Sequence, residues 1–156
     1  MADFSEHIHQ FEHNIKALCG LCVNSPDLFW DWKTTISFYS ALHLIRAHLA
    51  HHGEHPLTHT RLSVLVSPAN GRKTKITEAV YLAYDKLRMD SEKARYLKLA
   101  QHIGGQEIRF INGITRLETI MQEFGKVYPG YLSSFDLHHY KEITNSHLYI
   151  IYKQQA

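Results

Sequence analysis

Asp31 to His59 reads DWKTTISFYSALHLIRAHLAHHGEHPLTH, a helix, a stop and the start of a second helix. At about 100° per residue, Phe38, Leu42, Ile45 and Leu49 fall on one apolar stripe. Trp32, Tyr39, His43, Arg46 and Ala50 fall on a neighbouring stripe roughly 110° away. The first is a core stripe and the second a polar and aromatic face. Gly53 suits the left-handed position past a C-terminus and Pro56 cannot continue the ladder, so the helix is expected over 28 to 52. Thr58 is placed to cap the next helix, over 59 to 66.

The same periodicity extends in both directions. Upstream, Ile8, Phe11, Ile15, Leu18 and Cys22 mark a first helix over 4 to 23, broken by Asn24 to Asp27. Downstream, Ser67 to Gly71 form a loop. A helix over 77 to 102 points Val80, Tyr84, Leu87, Ala94 and Leu97 inward and Asp85, Lys86, Glu92 and Lys93 to water, and Gly104-Gly105 stop it. A helix over 106 to 124 carries Ile108, Ile111, Ile114, Leu117, Ile120, Met121 and Phe124, with Gly125 as its terminating residue. Tyr128 to Tyr131 is a turn, and Ile143 to Tyr152 reads as a short helix with an extended or helical end. The expected class is all-α: an up-and-down helical bundle of four to five main helices with a short C-terminal extension, one domain over 1 to 156.

A chain of 156 residues buries enough surface to fold without a metal or disulfide. MADFSEHIHQ has no basic region followed by an apolar run, and no apolar stretch approaches the length of a membrane span, so a soluble, cytoplasmic protein with no membrane contact is expected. A net charge of +2 is too small to announce nucleic-acid binding. The thirteen histidines would make the chain far more cationic in mild acid. Cys19-Gly-Leu-Cys22 lacks both a second CxxC and a thioredoxin-like strand-helix pattern, and its cysteines read as small apolar residues of the first helix.

Trp32, then Phe38 to His43 (Phe-Tyr-Ser-Ala-Leu-His), Arg46, Gly53, His55-Pro56 and His59, followed by Ser91 and Ala94-Arg95-Tyr96, resemble the HEPN superfamily of small helical domains. The resemblance covers roughly residues 28 to 100. It implies a bundle that often dimerises. Members include RNA-cleaving toxins, their antitoxin-paired relatives, and non-catalytic nucleic-acid or nucleotide binders. Catalytic members carry an Arg followed four to six residues later by His, usually with a polar residue directly after the Arg. Metal-independent RNA cleavage needs a group to deprotonate or orient the 2′-hydroxyl and a cation for the phosphorane, and an Arg-His pair supplies both.

Arg46 has that spacing to His51 and His52, and Arg95 has it to His102, but matches of this kind arise by chance at this histidine density. Ala47 and Tyr96 occupy the following positions, where the family usually has a polar residue. On an unbroken helix Arg46 and His51 point about 140° apart, and the Cα atoms of Arg95 and His102 stand about 10.5 Å apart. Tyr39, His43 and Arg46 share one stripe and can touch, offering a stacking ring, a titratable donor and a phosphate-binding cation. The structural alternative packs Tyr39 and His43 against a neighbouring helix and gives Arg46 a carboxylate on the fourth. The resemblance adds Arg95 and His59 to this face.

The leading expectation is therefore an RNA- or nucleotide-binding homodimer, extending to a metal-independent ribonuclease of toxin type. Catalysis would fall to Arg46 with His43 or His51, and binding to Tyr39, His59 and Arg95, with no cofactor. The competing class is a non-enzymatic partner of a protein encoded nearby, such as an antitoxin or a nucleotidyltransferase-like subunit. A third is a zinc or nickel site from His48 and His52, His51 and His55, or His55 and His59, with Glu54 among them. The basic loop Arg72-Lys73-Thr74-Lys75 could meet a phosphate backbone. There is no Gly-rich phosphate cradle, HExxH or nucleophile elbow.

Overall fold

The computed structural model describes residues 1–96, 105–132 and 141–144. It is an all-α helical bundle: α1 Phe4–Asn24, α2 Trp30–His51, α3 His59–Val66, α4 Glu78–Arg95 and α5 Gln106–Val127. Residues 141–144 add one helical turn. Helix α4 ends at Arg95, short of the expected 102, because Tyr96 leaves the helical conformation (φ −105°, ψ 87°); Leu97 and His102 lie outside the described residues, as does most of the tail. No described helix is long and apolar enough to cross a membrane.

Helix α2 is the axis of the bundle, packing on α1, α4 and α5, while α4 and α5 also pack on each other. Its core stripe is realised: Phe38, Leu42, Ile45 and Leu49 are all buried. Ala41, Leu44 and Ala47 are buried too, because helices cover α2 on several sides. A sequence with this many hydroxyls can occupy the centre because each closes on the helix itself. Thr34, Thr35, Ser37 and Ser40 donate to the carbonyls of Trp30, Asp31, Lys33 and Ile36 at 2.8 to 2.9 Å, so none of these four hydroxyls is buried bare.

Helix α2 starts two residues later than the pattern suggests, because Phe29 adopts the left-handed conformation (φ 60°) that turns the chain from α1. The fully buried Lys33 secures that corner. Its ammonium donates to the carbonyls of Ser25 (2.7 Å) and Pro26 (2.8 Å) and lies 4.1 Å from the Trp30 ring centre. Gly53, at φ 75°, closes the other end as expected, and Thr58 caps α3 through Arg61 N.

Helix α5 starts at Gln106 as expected but runs past its expected end. It runs through Gly125 to Val127, since Tyr128 N–H bonds the Phe124 carbonyl (2.8 Å) and the Tyr128 ring is buried against Phe4, His48, His51 and Phe124. Burying that ring outweighs the cost of about 1 kcal/mol for glycine inside a helix. Near the start of α5, Phe110 turns inward onto Trp30 (5.6 Å between ring centres), while Ile108 faces out. Further on, α5 approaches α4 so closely at Gly113 that a methyl group there would stand 3.3 Å from Leu87 Cδ2.

Candidate functional site

The second stripe of α2 forms a half-open face, on which Tyr39, His43 and Arg46 are all partly buried. Tyr39 is reached from α4: Arg95 Nη1 donates to its hydroxyl at 3.1 Å. The Arg95 guanidinium also lies 5.7 Å from the Tyr39 ring centre and 5.5 Å from that of Tyr96. His59, the first residue of α3, sets its ring 5.8 Å from that of Phe38. An open cleft of about 580 Å³ runs on from His59 between α3 and α4, past Ser63, Asn70, Tyr81 and Arg88.

Arg46 is the electrostatic centre of this face. The ion pairs that sequence reasoning offered it belong elsewhere: Arg88 holds Asp85 (2.9 Å) and Glu92 (2.7 Å), and Arg116 holds Asp90 (2.5 Å). Arg46 makes no hydrogen bond or ion pair among the described residues, and its Nε is sealed from solvent with no acceptor. Among the described residues two other buried polar atoms also lack partners, the hydroxyls of Tyr84 and Ser91 on the inward face of α4. An uncompensated guanidinium in a half-buried site is costly, and it is the group an oxyanion would satisfy.

Its charge acts on the surrounding imidazoles. Burial pushes His43 down to about 4, helped by His7 and then Arg46. Burial, then Arg46 and His55, lower His7. Burial, then Arg46, Arg88 and Arg95, lower His59. All three rings are therefore neutral near pH 7, able to accept a proton or to donate one N–H.

His7 escaped sequence reasoning. It arrives from α1 with its Nδ1 3.1 Å from His43 Nδ1. One signal was available: His7 stands four residues before Phe11 on the stripe that continues through Ile15, Leu18 and Cys22, so it faces the bundle.

The structure does not bring His51 to this site. Because α2 is unbroken through His51, the ring turns away from Arg46 and joins an aromatic cluster with Phe4 (5.9 Å), Tyr128 (5.1 Å) and His52 (5.3 Å). The Arg95 and His102 pairing falls outside the described residues. His48 is buried with both ring nitrogens occupied, Nδ1 with the Tyr128 hydroxyl (2.8 Å) and Nε2 with the Thr74 carbonyl (3.1 Å). A carbonyl only accepts, so Nε2 carries the proton and Nδ1 accepts from Tyr128, which leaves neither lone pair free for a metal. Among the described residues no three His, Cys, Asp or Glu side chains cluster as a metal site would require.

The remaining candidates have structural partners. Cys19 and Cys22 are buried free thiols, pushed up by burial to about 12 and about 11, and Cys19 donates to Glu142 at 2.9 Å. In the basic loop Arg72 pairs with Glu54 at 3.6 Å. No protein-family model, curated protein or solved structure matches the chain.

Proposed function

We propose that this chain is a HEPN-like module that binds the phosphate of RNA or a nucleotide on the α2 face. Arg46 is its anion receptor and Tyr39, His43, His59 and Arg95 are its surroundings. The observation that carries this reading is the half-buried Arg46 guanidinium with no acceptor among the described residues. Phosphate would supply the missing acceptors in the fork geometry guanidinium prefers. Tyr39, Arg95 and Tyr96 form a cation and ring platform on which a base can stack.

In a catalytic version Arg46 would stabilise charge developing on the phosphorus oxygens. His43, neutral at physiological pH, would take the 2′-hydroxyl proton through the ring nitrogen not bonded to His7. No metal enters this chemistry. His51 has no part in it within one protomer, and the homodimer remains part of the proposal.

A second reading, docking to a partner protein encoded nearby, draws on one corner of the molecule. Leu28, Phe29 and Trp32 are 58%, 49% and 60% exposed there, an apolar group of the kind that marks interaction surfaces.

The deciding experiment is cleavage and binding of labelled RNA by the purified protein in EDTA, with Arg46→Ala beside the wild type. The reading predicts binding that weakens with salt and is lost in Arg46→Ala, while stability changes by less than about 1 kcal/mol. Equal binding by the two proteins, or none by either, would move the function to partner docking.

A further inference from the structure

Arg46 is approached from two sides. One is the face just described. The other is a separate recess of about 250 Å³ lined by Met1, Ala2, His7, Arg46 and the segment from Glu54 to Leu57. Several water volumes of about 30 Å³ each fit this space, so it can hold a phosphate group with part of its hydration. Its lining comes from the start of the chain through the first turn of α1, from the loop between α2 and α3, and from Arg46 of α2.

We propose that this recess is a seat for a terminal phosphate, a monoester at the end of an RNA or on a nucleotide, held by Arg46, His7 and His55. The inference rests on the proposed phosphate-binding reading and specifies which phosphate is bound. A phosphodiester inside a strand continues from two oxygens and needs two exits. A terminal phosphate needs one, and a recess of about 250 Å³ bounded by two chain segments and Arg46 favours the group with the smaller demand.

The nearby carboxylates are engaged elsewhere. Glu54 lines the recess but pairs with Arg72 at 3.6 Å. Asp3 and Glu6 are locked into the capping box of α1, each accepting the other's backbone N–H at 2.7 to 2.9 Å. On α4, Asp85 and Glu92 hold Arg88. The groups left to meet an anion are the Arg46 guanidinium and the rings of His7 and His55.

Occupancy of the recess would also fix the protons of the histidine pair. A phosphate oxygen accepts, so His7 would present Nε2–H to it, leaving His7 Nδ1 as a bare acceptor. The 3.1 Å contact then requires His43 to carry its proton on Nδ1 and to expose an unprotonated Nε2. That is the tautomer a general base needs. The same phosphate that anchors the ligand would thus prepare His43, with His7 as a positioning residue.

The test uses one short oligoribonucleotide in three forms, with a 5′-phosphate, a 3′-phosphate or hydroxyls at both ends, titrated by fluorescence anisotropy. Inorganic phosphate and a nucleoside 5′-monophosphate are titrated by calorimetry. At least one phosphorylated form is expected to bind about tenfold tighter than the hydroxyl form, and which one identifies the end. Both Arg46→Gln and the loop variant His55→Ala should erase that difference. Nitrogen NMR of the complex should find His43 protonated on Nδ1. Equal affinity for all three oligonucleotides would overturn the terminal seat while leaving the RNA-binding reading intact. Binding of phosphate or the monophosphate through Arg46 and His55, with no oligonucleotide bound, would support the seat and remove the RNA reading. Binding of nothing would overturn both. His55→Ala guards against misfolding, since the residue lies on the loop between α2 and α3.

Discussion

His7 and His43 face each other through like atoms, Nδ1 to Nδ1 at 3.1 Å, and two nitrogens at that distance can share only one proton. One ring must donate and the other accept, so a second proton would set two N–H groups against each other. The contact ties the first helix to the Tyr39, His43 and Arg46 face of the second. It also makes that face sensitive to protonation, because Arg46 lowers both rings further.

Stability should fall in mild acid. His7, His43, His48 and His59 all lie below the ordinary imidazole value, in each case chiefly through burial. Between about pH 6.5 and the folded values, the unfolded chain binds protons that the folded chain refuses. Unfolding free energy therefore rises with pH across this window, and the contribution is lost as pH falls through it. With His43 at about 4, its share is on the order of 2 kcal/mol after allowing for the solvent that reaches the ring. Urea midpoints at pH 7.5, 6 and 5 should decline in order, and less steeply in His43→Gln. A flat series would show that the rings are not held neutral.

Replacing Arg46 should separate stability from binding. The substitution Arg46→Met keeps most of the apolar stem and removes a charge with no acceptor among the described residues, so stability should be unchanged or rise by about 1 kcal/mol. Breaking the paired cation in Arg88→Met should instead lower stability by about 1 kcal/mol, since Asp85 and Glu92 lose their partner. Thermal melts of the two variants would check this. A large loss in Arg46→Met would identify Arg46 as a structural residue.

His48 predicts the opposite profile. Its ring bridges Tyr128 at the C-terminal end of α5 and Thr74 in the loop before α4. His48→Leu leaves a buried hydroxyl and carbonyl without that partner, at a cost of about 2 to 3 kcal/mol. RNA binding at native temperature should be untouched, as His48 is no part of the Arg46 face. A binding defect in a folded His48→Leu protein would mean that the two regions are coupled.

The two stripes of α2 were legible in the sequence because 3.6-residue periodicity carries both the core and the face beside it. Phe38, Leu42, Ile45 and Leu49 are buried as read, and Tyr39, His43 and Arg46 share their half-open face. Other features depend on contacts between distant segments. His7 meets His43 across a helix pair. Gly125 stays helical because Tyr128 finds an aromatic pocket built from α1, α2 and α5. The separation of Arg46 from His51 followed from helix geometry alone, whereas the aromatic cluster that takes up His51 did not. That no carboxylate among the described residues pairs with Arg46 was invisible, since it depends on Arg88 claiming those of α4.

The CxxC pair should behave as core. Both thiols are buried and pushed well above the range in which a thiolate is available, Cys19 to about 12 and Cys22 to about 11, chiefly by burial. Thiolate is the reactive form, so a thiol reagent at pH 8 should label neither residue on the native protein and both at once in denaturant. Cys19 has a further role, since its hydrogen bond to Glu142 (2.9 Å) helps hold the helical turn at 141–144 whose Ile143 is fully buried. Cys19→Ala should therefore loosen that turn, read as faster amide exchange at Ile143, while Cys22→Ala should cost core packing without that local effect. Rapid labelling of the native protein at one cysteine would show that the thiol is accessible and would restore a chemical role for the motif.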